Sequence, residues 1–226
     1  MAERADAARA ARQSAVPPRA RRVGELVGLF AVVPALLALG PRWLVSLGIL
    51  ASGVIAAATL LVDRTFVRRE LIRFRGVPAG LRAVLVRAGA IAVGLLALTV
   101  FTTPSALFGF PRHRPVVWAI VMMLYPLSAY AQEIVFRSFF FHRYGHLFAT
   151  PWRRIGASGL VFGWAHIVVN DVLAIGLASI AGILFASTYE RSRSTMLVSL
   201  EHALYGDIAF TIGLGSVFYS TTRWIG

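Results

Sequence analysis

Three ionisable side chains lie inside long apolar stretches of the sequence: Glu133, His166 and His202. Such residues are costly in hydrocarbon, and those inside membrane spans usually serve a function. At 1.5 Å per residue they lie about 12, about 17 and about 11 Å into their spans. A carboxylate and two imidazoles at one level can activate water and support an oxyanion without a metal. They can equally hold a zinc ion with an open position for water, and the spacing leaves both chemistries open.

The apolar stretches themselves predict an all-α, polytopic transmembrane bundle. Hydrophobic residues make up 58% of the 226-residue chain and charged residues only 15%, which is too little polar surface for a soluble domain. About 20 apolar residues cross a bilayer. We predict about seven spans, within a range of six to eight, placed roughly at 23–39, 43–62, 88–103, 116–141, 155–169, 172–188 and 195–212.

Charge and cysteine content narrow the class of protein. Residues 1–22 are predicted to be a disordered, basic cytoplasmic tail, and residues 23–226 a single membrane domain. All 23 basic residues are Arg and the net charge is +13, but the Arg residues flank apolar blocks, which argues against a nucleic-acid partner. The chain has no Cys, which excludes disulfides and a Cys nucleophile.

The positions of the Arg residues also predict the orientation of the chain. They concentrate in the tail and in alternate loops, and the positive-inside rule places such segments in the cytoplasm. The sequence therefore predicts a multi-pass protein of the inner (plasma) membrane with a cytoplasmic N-terminus. The use of Arg without any Lys is typical of a GC-rich, bacterial coding genome.

Three short motifs resemble those of the CPBP family, the CAAX-processing and bacteriocin-processing intramembrane proteases. QEIVFR at 132–137 is similar to the family's Glu-Glu-x-x-x-Arg, and FGWAH at 162–166 to its Phe-x-x-x-His. HALYG at 202–206 is similar to its His-x-x-x-Asn. The order, spacing and apolar setting of the motifs agree over residues 115–212, which we take as the protease-like core.

The resemblance implies an intramembrane endopeptidase that cleaves a membrane-associated peptide or protein near the cytoplasmic side of the lipid bilayer. It implies that the first Glu and the second-motif His activate water, and that the last-motif His and Asn stabilise the oxyanion. Two positions depart from the pattern. Gln132 stands where the first Glu is expected, and Gly206 stands where the Asn is expected.

These departures shape the predicted site. Glu133 is the nearest remaining carboxylate to the water-activating position, so Glu133, His166 and His202 are predicted to be catalytic. Asp207 could supply polarity beside Gly206, and Glu201 could orient His202 or replace the missing acid. The predicted supporting residues are Arg137, Gln132, Glu201, Asp207 and Phe162.

Several alternatives stay open at this point. The i,i+4 spacing of Glu133 and Arg137 also suits a purely structural ion pair. The sequence does not establish a cofactor, and zinc is the one that the residues could bind, through Glu133, His166 and His202. The rival functions are a catalytically inactive family member that acts as a membrane scaffold or immunity protein, and an ion or proton transporter.

Overall fold

The computed structural model describes residues 19–73 and 77–215, and within these ranges the chain forms helices and turns without a β-strand. In chain order the main elements are α1 (Arg19–Val27), a first π-helical segment (Gly28–Val32), α2 (Val33–Ala38), α3 (Arg42–Val62), α4 (Val77–Thr102), α5 (Gly109–His113), α6 (Pro115–Glu133), a second π-helical segment (Ile134–Phe139), α7 (Phe140–Tyr144), α8 (Pro151–Ala165), α9 (Val172–Ser192) and α10 (Thr195–Ile212). Short 3₁₀ turns occur at Arg68–Glu70, Pro104–Ala106, Gly145–Leu147 and His166–Val169.

The predicted all-α membrane bundle is confirmed. Among the described residues, four helical stretches are long and apolar enough to cross a membrane: Trp43–Val62, Gly80–Thr102, Pro115–Leu147 and Val172–Ser192. The other three predicted spans are also helical but are not among these four, and they correspond to α1–α2, α8 and α10.

Several helix boundaries differ from those predicted, among them the starts of α1 and α4. α1 begins at Arg19, so residues 19–22 of the predicted tail are helical, whereas residues 1–18 lie outside the described residues. α4 begins at Val77 instead of near 88, about three turns earlier. Arg87, which precedes the predicted span, therefore lies within this helix. Its charge is compensated by Glu201 on α10.

Small residues bring α8 and α9 together. A Cβ atom added at Gly163 would overlap Ser179, and one added at Gly182 would lie 2.9 Å from the carbonyl oxygen of Gly159. Such close backbone approach is a common way for helices to associate in membranes. α10 packs against α4, α6 and α9, so its polar side chains lie inside the bundle.

Candidate active site

The predicted catalytic residues lie at the ends or centres of three helices. Glu133 is the last residue of α6, His166 follows α8 directly at the start of a 3₁₀ turn, and His202 lies near the middle of α10. The second π-helical segment begins immediately after Glu133 and contains Arg137. π-Helical turns within α-helices are often found at functional sites.

Glu133 and Arg137 form an ion pair in the bundle interior. Arg137 Nε lies 3.1 Å from Glu133 Oε2, and both side chains are fully buried. The guanidinium also donates to Ser158 Oγ and to the Gly182 carbonyl oxygen, each at 3.3 Å. It lies over the Phe162 ring, 5.0 Å from the centroid. The charges of Glu133 and Arg137 therefore compensate each other locally, and residues of α8 and α9 supply the further contacts of Arg137.

Glu133 also holds His202. Its Oε1 lies 2.8 Å from His202 Nδ1, and the opposite ring nitrogen, Nε2, lies 3.1 Å from the Tyr125 hydroxyl. A carboxylate only accepts, so the Nδ1–H donates to Glu133. In the neutral ring Nε2 then accepts from Tyr125. In such a pair the carboxylate orients the imidazole and can stabilise its protonated form.

His166 is fixed in the same tautomer by a different partner. Its Nδ1 lies 2.9 Å from the Phe162 carbonyl oxygen, which only accepts, so Nδ1 carries the proton. Its Nε2 therefore bears the lone pair in the neutral ring. The Phe162 ring lies against both imidazoles, with centroid distances of 4.9 Å to His166 and 5.3 Å to His202.

A cavity of about 110 Å³ joins the two imidazoles. His166 and His202 line it together with Tyr125, and apolar side chains of α4, α8, α9 and α10 complete its wall. At about 30 Å³ for each water molecule, it has room for about three or four waters. Glu133 does not line this cavity and reaches it through His202.

The structure places two predicted supporting residues away from this cluster. The Gln132 side-chain amide donates to Ser128 Oγ at 3.1 Å, one turn back along α6. Glu201 Oε1 lies 2.7 Å from Arg87 Nη2 on α4 and accepts from the Tyr205 hydroxyl at 2.7 Å. Glu201 therefore compensates Arg87, and neither of these contacts orients His202.

The remaining predicted residues differ in their surroundings. The Phe162 ring contacts both imidazoles and the Arg137 guanidinium. Asp207 has a buried Oδ1 atom that accepts no hydrogen bond from the part of the chain that the structure describes. At Gly206 an added Cβ would overlap the Tyr125 ring, so this aromatic side chain fills the space beside the glycine.

Sequence reasoning missed Tyr125. The sequence contained a sign of its role, because Tyr125 precedes Glu133 by about two helical turns and so lies on the same face of α6. A tyrosine in an apolar span is also a common packing residue, which is why its position alone did not single it out.

The donor arrangement does not fit a zinc ion held by Glu133, His166 and His202. Within residues 19–73 and 77–215, no three His, Asp or Glu side chains converge as a metal-binding group. Both oxygens of Glu133 already face other groups, Arg137 and His202. The two nitrogens of His202 face Glu133 and Tyr125.

Fold and site together define a helical membrane protein with a carboxylate–imidazole pair beside an internal cavity. Residues 113–206 match the family model described as type II CAAX prenyl endopeptidase Rce1-like. This match confirms the resemblance to the CPBP family of CAAX-type proteases over the segment that contains all three motifs. No curated protein and no solved structure matches the chain.

Proposed function

We propose that the chain is an intramembrane endopeptidase that hydrolyses a peptide bond of a membrane-associated substrate. The observation that carries this proposal is the buried hydrogen bond between Glu133 and His202, whose ring lines a cavity shared with His166. The family description supports a substrate that ends in a lipidated, CAAX-type sequence. The apolar wall of the cavity suits such a substrate, since its lipid and aliphatic side chains avoid water.

The geometry supports a mechanism in which His202 is the general base. As the water oxygen bonds to the peptide carbonyl carbon, His202 Nε2 takes a water proton. Glu133 stabilises the resulting imidazolium through Nδ1–H. When the C–N bond breaks, the imidazolium returns the proton to the leaving amine. His166 Nε2 accepts a hydrogen bond from the same water and positions it.

This mechanism gives Glu133 a different role from the one expected from the sequence, where it stood in for the water-activating acid. Its two oxygens face Arg137 and His202, and it does not line the cavity. In the proposal it orients a base instead of acting as one.

Substitution of the three residues tests the proposal. Glu133→Gln, His166→Ala and His202→Ala should each lower cleavage of a prenylated reporter peptide in proteoliposomes by about 100- to 10,000-fold. Glu190→Gln is a matched control, because Glu190 pairs with Arg154 outside the site. Wild-type rates in both Glu133→Gln and His202→Ala, with the variants inserted and folded, would overturn the proposal.

We further propose that the Arg-rich end of the bundle faces the cytoplasm of a bacterial inner membrane. His142 pairs with Asp63 at 2.9 Å and Arg143 pairs with Glu25 at 2.6 Å. The loop after α3, the end of α1 and the end of α7 therefore meet at one end, where Arg residues concentrate. A reporter fused after Arg75 should read as cytoplasmic and one fused within 104–114 as external; the opposite pattern would refute this orientation.

A catalytically inactive scaffold is the second candidate, and the residue at position 132 favours it. Gln132 occupies the place of the family's water-activating acid, and an amide does not accept a proton near neutral pH. If neither wild-type protein nor Gln132→Glu cleaves any prenylated reporter, the scaffold is the better account.

A further inference from the structure

The side chain missing at Gly206 is replaced in space by Tyr125. Position 206 lies four residues after His202 on α10, so a side chain there would project beside the imidazole. A Cβ at Gly206 would overlap the Tyr125 ring, which enters this space from α6. The phenol hydroxyl lies 3.1 Å from His202 Nε2 and faces the same cavity. Loss of a side chain on one helix is thus matched by an aromatic residue on another.

The Tyr125 ring is held from two sides. It makes an edge contact with the His202 ring at 5.7 Å between centroids and another with the Phe210 ring at 5.4 Å. Such contacts fix the ring plane and leave the hydroxyl proton free to rotate about the C–O bond. A preorganised hydroxyl donor in a cavity with mostly apolar walls is the kind of group that stabilises a developing oxyanion.

We propose that Tyr125 is a catalytic residue whose hydroxyl donates a hydrogen bond to the oxyanion of the tetrahedral intermediate. The inference rests on the proposed function, because it assigns a donor for the same hydrolysis. It also explains how the site works with Gly206, where the family resemblance implies an amide donor.

The hydrogen bond between Tyr125 and His202 ties this donation to substrate binding. In the resting site the hydroxyl donates to the single lone pair of His202 Nε2. When the peptide binds, the hydroxyl proton turns to the carbonyl oxygen, and this frees the Nε2 lone pair to take a proton from the water. The hydroxyl then stabilises the carbonyl oxygen as that oxygen gains negative charge. No proton leaves Tyr125, so the step balances with one water consumed.

The test uses the full chain in proteoliposomes with a quenched fluorescent peptide that ends in a farnesylated CAAX-type sequence. Tyr125→Phe keeps the ring beside Gly206 and removes only the hydroxyl, so kcat should fall by about 100- to 1,000-fold while KM changes little. Tyr130→Phe is the matched control on the same helix, because its hydroxyl donates to the Leu71 carbonyl oxygen outside the cavity. It should cleave at the wild-type rate.

A rescue variant separates donation from packing. Tyr125→Ala opens the space, and Tyr125→Ala combined with Gly206→Asn places an amide donor there. The double variant should cleave at least about tenfold faster than Tyr125→Ala alone, since one such donor is worth about 100-fold or more.

Two results would overturn the inference and leave the proposed function standing. One is a wild-type kcat in Tyr125→Phe while His202→Ala is inactive. The other is a Tyr125→Phe loss that follows a loss of folded protein, together with a double variant no faster than Tyr125→Ala. A wild-type protein that cleaves no reporter would instead overturn the proposed function, and the role of Tyr125 with it.

Discussion

Replacing Arg137 by Met should separate the structural from the catalytic role of the Glu133–Arg137 pair. Both side chains are fully buried and 3.1 Å apart, so Arg137→Met leaves a buried carboxylate without its counter-ion. Removing one partner of a buried pair costs about 3–5 kcal/mol. The hydrogen bonds to Ser158 and Gly182 are lost as well, at about 1 kcal/mol each, which places the expected loss toward the upper end of that range.

The assay is reversible unfolding in mixed micelles at increasing SDS content. Adding Glu133→Gln removes the uncompensated charge, so the double variant should be more stable than Arg137→Met alone by about 1–3 kcal/mol. It should nevertheless remain inactive, because the amide cannot stabilise a His202 imidazolium as a carboxylate does. Arg143→Met is the control: it breaks a pair with Glu25 whose side chains are 31% and 26% exposed, and such pairs contribute about 0–1 kcal/mol. Strictly additive losses for Glu133→Gln and Arg137→Met would refute the argument.

Three further predictions concern positions around the site. Gln132→Glu should keep or raise cleavage, because Gln132 contacts Ser128 and not the Glu133 network; a loss above about tenfold would place Gln132 in the machinery. Treatment with 1,10-phenanthroline followed by gel filtration should leave cleavage unchanged, whereas loss that zinc restores would establish a metal site. Outside the spans, hydrogen bonds from His142 and Thr65 hold the pKa of Asp63 well below its usual range. A lowered carboxyl pKa stabilises the folded state above the unfolded value of about 3.9, and this stabilisation is lost as the pH falls through the folded pKa. Asp63→Asn should therefore lower the melting temperature at pH 7, and the difference from wild type should shrink below about pH 4; an equal difference at both pH values would contradict this.

The sequence predicted the helices well because membrane-spanning helices differ from loops in their apolar composition. Apolar blocks broken by Arg, Pro and Gly predicted seven spans, each of which is helical in the structure. The start of α4 was misplaced because Arg82 and Arg87 are typical of a loop between spans. The second π-helical segment was missed for a physical reason. It inserts into an otherwise regular helix without a change of hydropathy, so periodicity does not reveal it.

The catalytic residues stay a prediction, and the sequence did not give the directions of their side chains. The motif spacing predicted Glu133, His166 and His202 at one level; in the structure Glu133 contacts Arg137 and His202 and does not line the cavity shared by the two imidazoles. The partner of Glu201 depends on α4, far earlier in the chain, and local sequence gave no sign of it. Tyr125 depends on the space left by Gly206, which only the packing of α6 against α10 shows.

The ion pairs of Glu133 and of Glu201 have different consequences for how the chain is made. Glu133 and Arg137 are on one continuous helix, so they enter the membrane already neutralised. Arg87 and Glu201 lie on α4 and α10, and α10 is synthesised long after α4. Until α10 arrives, Arg87 must reach toward the headgroups to keep its charge hydrated. A chain whose synthesis stops before α10 would therefore keep an unpaired charge on α4. Membrane quality control could use this charge to distinguish unfinished chains from complete ones.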